Sequence, residues 1–181
     1  VPAGMMVVLG LEDGVGEDIC KEAQSKGKQI YAANYNCDGQ IVVAGLKPDL
    51  SEFEALFKER GAKRAMLLNM SVASHCPLLK NASARLGELL ESALNENFAP
   101  VISNVSAKPY TSKSEALNLL KEQLIKPVLY KQSIANSQDS VDCFVEFGAS
   151  VLSGLNKKIT PKPTYAISSL AEAKEFLKVV K

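Results

Sequence analysis

Residues Met5 to Leu11 (MMVVLGL) form an unbroken apolar run that ends near Asp13-Gly14, the pattern of a short buried strand. Ile19, Cys20 and Ala23 then recur at helical spacing before Gly27, which predicts a helix over 15–26. Two β-rich runs follow, IYAANYN at 30–36 and QIVVAGL at 40–46, joined through Cys37-Asp38-Gly39; Asp-Gly between such runs signals a hairpin. Ser51 and Glu54 have capping-box spacing, so a helix is expected to open there, with Phe53, Leu56 and Phe57 on one face and Gly61 as its stop. The run AKRAMLLNM at 62–70 returns to strand character. The order over 5–70 is therefore β-α-β-β-α-β, the ferredoxin-like or split-βαβ arrangement, which can close its own sheet.

Beyond residue 70 the pattern changes. Leu86, Leu89, Leu90, Ala93 and Leu94 mark an amphipathic helix, VISNV at 101–105 a short strand, and Ser112 with Glu115 a second capping box. The helix it opens turns Leu117, Leu120 and Leu124 inward and stops at Pro127. VDCFVEFG at 141–148 predicts a strand leading to a helix over 149–158, and Ser169 with Glu172 opens a last helix whose inner face is Leu170, Ala173, Phe176, Leu177 and Val180. Strands alternating with helices over 71–181 point to part of an open, largely parallel sheet, with too few strands to be complete. Two regions are expected: 1–70, a ferredoxin-like unit, and 71–181, part of a larger α/β sheet domain.

Composition narrows the function classes. A 46% hydrophobic content over 181 residues suffices for a core. Twenty-one basic against 20 acidic residues, with no basic cluster larger than pairs such as Lys157-Lys158, give no footprint for nucleic acid or an anionic membrane. Lys157 and Lys158 read as a solvated helix end. The four cysteines, Cys20, Cys37, Cys76 and Cys143, form no CxxC pair and have one histidine to join them, so no metal site and no bound cofactor are expected. With no leader-like segment and no apolar run of about 20 residues, a cytoplasmic protein with reduced thiols is expected. The opening Val1-Pro2-Ala3-Gly4 lacks a starting methionine, and the chain is expected to begin inside a longer protein.

Candidate chemistry centres on SVASHCPLLK, which holds the one histidine, His75, after a strand and just before Pro77. A histidine so placed can serve as a general base or cap a turn. Its neighbours Ser74 and Cys76 are poor partners, because successive side chains of an extended segment point to opposite faces. No GxSxG elbow presents a serine. The residues thus offer a base without a nucleophile.

SVASHCPLL, preceded by NYNCDGQIVVAG and GAKRAMLLNM and followed by PVISNVSAKP, resembles the malonyl-CoA:acyl carrier protein transacylase family, with blocks in matching order from about residue 5 to 160. The resemblance implies that 1–70 are a ferredoxin-like subdomain inserted in an α/β-hydrolase-like acyltransferase core, of which 71–181 are the C-terminal part. It also implies malonyl transfer from coenzyme A to the phosphopantetheine thiol of acyl carrier protein, through an acyl-serine. On that reading His75 activates the serine and is oriented by the main-chain carbonyl of Gln123, while Asn34 and Asn36 lie near the substrate cleft; a structural role beside the Asp38-Gly39 turn serves these asparagines equally well. Expected partners are acyl carrier protein, malonyl-CoA as substrate, and the N-terminal part of the same protein. The GHSLG elbow, the GQGS segment and the carboxylate-binding arginine of the family are absent from the chain, so the 181 residues alone are expected to be inactive. EFGASVLSGL is also one residue shorter than the family's glycine-rich EVGPGKVLTGL type. Two alternatives stand beside this: a non-catalytic module binding a ligand or carrier protein, and an acyltransferase for another acyl-CoA.

Overall fold

A computed structural model describes residues 2–180. The chain is mixed α/β and divides into two compact units, Val1–Ser133 and Ile134–Lys181.

In the first unit, β1 (Ala3–Leu9), α1 (Asp13–Ser25), β2 (Ile30–Cys37), β3 (Gln40–Leu46), α2 (Lys47–Glu59) and β4 (Arg64–Leu67) follow in the order the apolar pattern predicts. The sheet is antiparallel throughout, ordered β2-β3-β1-β4. Its central strands are the two most apolar ones, because each is buried on both faces. On one face Met6, Val8, Ile30, Ile41 and Val43 meet Ile19 of α1 and Leu50, Phe53 and Phe57 of α2. On the other, Met5, Ala33, Val42 and Ala44 pack against Ala73 and Cys76, so the loop after β4 folds back over the sheet. Gly39 closes the β2–β3 hairpin at φ 72°, a left-handed conformation that favours glycine.

The second helix begins five residues earlier than expected. Leu46 is its N-cap and Pro48 lies in its first turn, so Ser51 and Glu54 fall inside the helix and their capping-box spacing is unused. Proline with its fixed φ starts the helix, and Asp49 accepts the Gln29 backbone N–H at 2.9 Å, anchoring the helix start to β2. Beyond the sheet come a one-turn 3-10 helix (Pro77–Leu79), α3 (Lys80–Ala93), the short antiparallel pair β5 (Val101–Ile102) and β6 (Pro109–Tyr110), and α4 (Lys113–Glu122). Here the capping box operates: Ser112 Oγ accepts the Glu115 N–H at 3.3 Å. The helix α5 (Tyr130–Ser137) was not visible in the apolar pattern.

The second unit pairs β7 (Phe144–Phe147) with β8 (Thr164–Ile167) in parallel, with α6 (Leu152–Asn156) between them and α7 (Leu170–Val179) after them. Ser169 caps α7 through the Glu172 N–H, as its spacing predicts. Phe176 of α7 stacks on Tyr165 with ring centroids 5.2 Å apart, but Leu170 and Leu177 of the expected inner face are 73% and 58% exposed. No layer among the described residues covers them. The turn after β7 holds together through Glu146. Its carboxylate accepts backbone N–H groups of Val151, Leu152 and Ser153 at 2.9–3.0 Å, which holds its acidity below the usual carboxylate range, the Leu152 N–H contributing most.

Two predictions concern stability. A Cβ at Gly45 would sit 2.0 Å from the Gln29 carbonyl oxygen, so Gly45→Ala should destabilise the sheet by about 1–3 kcal/mol in urea denaturation. Glu146 has a lowered folded-state value, so its contribution is present above the ordinary carboxylate range and is lost as pH falls through the folded value. Denaturation of Glu146→Gln against the parent across pH should show a stability gap at neutral pH that closes in acid; a gap independent of pH would refute it.

Candidate functional site

His75 sits in the left-handed region at φ 59°, uncommon for a residue with a Cβ. Such strain persists only where surrounding structure over-determines it, and here it is bracketed on both sides. Ala73 and Cys76 are buried against the sheet at 2% and 1% exposure. After His75, Cys76 turns extended as the cap of the 3-10 turn, its carbonyl accepting the Leu79 N–H at 3.1 Å. The chain is thus pinned at its apolar residues, and the histidine between them is thrown outward, half-buried.

The imidazole meets the end of α4. His75 Nδ1–H donates to the main-chain carbonyl oxygen of Gln123 at 2.5 Å. A carbonyl can only accept, so Nδ1 carries the proton and Nε2 is left as the basic nitrogen. Gln123 is the C-cap of α4. Its carbonyl is one of the helix-end carbonyls that no intrahelical N–H reaches, and Pro127, four residues on, has no N–H to offer it. Neighbouring carbonyls are taken: Glu122 accepts Ile125 and Lys126, and Lys121 accepts Leu124 as well as the Ser83 hydroxyl at 2.8 Å. The helix end therefore leaves one carbonyl open, to which Pro127 brings no N–H, and the histidine fills it.

Asn34 reaches the same region. A bulge between Ala32 and Asn34 pairs Asn34 with Val42, whose side chain lies in the cluster that buries Cys76. Asn34 also bridges to Val128, immediately after Pro127, with Val128 N–H donating to Ala33 and Tyr35 N–H to Val128. The stretch 123–128 thus links the histidine's acceptor to the strand carrying Asn34. Asn36 lies two residues further, beside the hairpin turn. The neighbours of His75 take no visible part: the Cys76 thiol donates to the Ala73 carbonyl at 3.4 Å, and burial pushes it above its ordinary value, against a smaller opposing effect of the Leu78 N–H. A protonated, buried thiol is not a nucleophile.

Two further residues belong to this neighbourhood. Asn104 donates from Nδ2 to Gln123 Oε1 at 3.2 Å, and Ser83 fixes the last turn of α4. Neither carries a sequence signal of its own. The spacing Gln123-x-x-x-Pro127, however, marks an unclaimed carbonyl at a helix end, and could have been read that way. Among the described residues, no group of three or more histidine, cysteine or acidic side chains could hold a metal ion, and no helix is long and apolar enough to cross a membrane.

The site thus holds an imidazole fixed on a helix end, with no adjacent hydroxyl or thiol for it to deprotonate, and the proteins that this chain is similar to are acyltransferases. They are malonyl-CoA:acyl carrier protein transacylases. The Bacillus subtilis malonyl CoA-acyl carrier protein transacylase is 38% identical over 175 residues, covering 93% of this chain, and the Escherichia coli K12 protein of the same name is 36% identical over 178 residues. Among solved structures, the malonyl-CoA:acyl carrier protein transacylase of Helicobacter pylori superposes with a TM-score of 0.91 at 38% identity, covering 99% of this chain. A malonyl-transacylase in complex with a type II PKS acyl-carrier protein does so with a TM-score of 0.92 at 31% identity. The chain is homologous to these enzymes and spans 55% of the Bacillus and 57% of the Helicobacter protein. No protein-family model matches it.

Pro127→Ala would restore an N–H that competes with His75 for the Gln123 carbonyl. The imidazole nitrogens of the chain's one histidine should then change, in ¹⁵N NMR of the neutral imidazole, from a uniform Nδ1–H tautomer to a mixture. An unchanged tautomer would show that the proline does not keep that carbonyl free.

Proposed function

We propose that these residues are part of an enzyme that moves a malonyl group from coenzyme A to the phosphopantetheine thiol of acyl carrier protein in fatty acid synthesis, with His75 as its general base. The observation that supports this most is the Nδ1–H···O=C bond to Gln123, which fixes the tautomer that leaves Nε2 free to accept a proton. The chemistry follows from that nitrogen. A serine hydroxyl attacks the malonyl thioester while Nε2 takes its proton, and the C–S bond breaks as the proton passes to the leaving thiolate of coenzyme A. In the second half-reaction the carrier thiol gives its proton to Nε2 and attacks the serine ester, and the serine leaves with that proton. Two half-reactions through one covalent intermediate require ping-pong kinetics. No cofactor enters this scheme.

The serine belongs, on this reading, to the part of the relatives' fold outside the region of similarity. In support, the first unit's sheet order β2-β3-β1-β4 fits a ferredoxin-like subdomain, and the parallel β7–β8 pair with its helices fits a portion of an α/β-hydrolase-like core. Exposed apolar residues on both units, Met66, Leu67 and Val72 on one and Phe147 and Val151 on the other, suit contact with that remaining portion. Asn34 and Asn36 offer amides for substrate. Acyl carrier protein is the expected partner, consistent with the related transacylase whose complex with such a carrier has been solved. A cytoplasmic location accords with this role.

The test is malonyl transfer by a protein uniting this chain with the remaining portion of the fold. His75→Ala should lower turnover roughly 10²- to 10⁴-fold, and the 181 residues alone should transfer nothing. Full turnover by the alanine variant would defeat the reading, as would transfer by the isolated chain.

A further inference from the structure

We propose that Asn104 is a positioning residue for His75, acting through Gln123. The catalytic consequence rests on the reading of His75 as the base; the structural relay does not. The direction of the Gln123 carbonyl depends on the backbone of a residue at the last position of a helix, where ends fray. Gln123 sits there at φ −64° and ψ −19°, with a long side chain that would sample many rotamers if free. The tie on that side chain is Asn104, whose Nδ2 donates to Gln123 Oε1 at 3.2 Å. Both amides line a small cavity of about 90 Å³ beside Tyr110, Leu119 and Leu120, where water competes less for the bond.

Asn104 can hold Gln123 because it is itself held. Ser103, 4% exposed, accepts the N–H groups of Val105 and Ser106 at its hydroxyl, at 3.1 and 3.4 Å. Its backbone N–H donates to the Lys108 carbonyl and its carbonyl accepts the Ala107 N–H, both at 2.9 Å. Ala107 is driven to φ 53° in closing this turn, the second non-glycine residue after His75 in that region. The Asn104 carbonyl accepts the Leu129 N–H at 2.7 Å, tying the turn to the segment that follows Pro127. Among the described residues, the two non-glycine positions with left-handed backbone therefore lie at opposite ends of one relay: a closed turn holds Asn104, Asn104 holds the Gln123 side chain, and the Gln123 carbonyl holds the His75 proton on Nδ1.

A merely structural Asn104 would affect how firmly α4 ends and leave the imidazole alone, so the tautomer is the deciding readout. In ¹⁵N NMR of the 181-residue chain, Asn104→Ala should turn a uniform Nδ1–H imidazole into a tautomer mixture. Asn104→Asp should restore it, since the Gln123 amide can rotate and donate to the new carboxylate. Gln123→Ala keeps the carbonyl and loses the tether, so it should reproduce the Asn104→Ala spectrum, and the double variant should add nothing further. This second variant decides the matter if Asn104→Ala does not fold. A uniform Nδ1–H tautomer in either alanine variant would overturn the proposal. In the united enzyme, Asn104→Ala should lower kcat about tenfold with KM unchanged. A fully active His75→Ala enzyme would instead remove the acyl-transfer reading and leave the tautomer results standing.

Discussion

One hydrogen bond, from the His75 imidazole to the Gln123 carbonyl, is the constraint on which the local structure depends. It joins a loop folded over the sheet to the end of a helix some fifty residues later in the chain, 48 positions away. The acceptor is a neutral main-chain carbonyl at a helix end, where a basic histidine more often meets a carboxylate. The carbonyl is available because the helix ends there, and the proline four residues on brings no N–H to compete for it.

The other half of the constraint is the two-faced sheet. Its helical face is an ordinary core of Met6, Val8, Phe53 and Phe57, and supplies the rigidity. Its second face takes Ala73 and Cys76, small side chains that let the loop approach closely. Pinning residues 73 and 76 leaves little conformational choice for the two between them, and the left-handed backbone at His75 is the result. Cys76 looks like a reactive neighbour in the sequence, but it is a buried packing residue with its proton retained.

The first sixty-odd residues were legible because alternation, a hairpin signal and helical spacing all agree there. Ser51 misled: capping-box spacing is short and recurs by chance, and Pro48 with Asp49 claimed the helix start first. Ser112 and Ser169 had no such competitor and cap as their spacing indicates. The helix at Tyr130–Ser137 and the strand at Thr164–Ile167 escaped notice because one is polar and the other short and prolines precede it. At the site, the resemblance pointed to Gln123, and the structure places its carbonyl against His75. Asn104 stayed invisible, since an amide that touches another amide across 19 residues leaves no periodic trace.

A main-chain acceptor has a consequence for variation. Substitution at position 123 cannot delete the carbonyl, because every amino acid brings one. The orienting group is thus encoded by backbone path rather than by side-chain identity, and the positions that govern it are those that shape the path: a proline four residues on, an asparagine in a distant turn, a serine on a facing helix. A search for the carboxylate that usually accompanies a basic histidine would pass over such a site entirely.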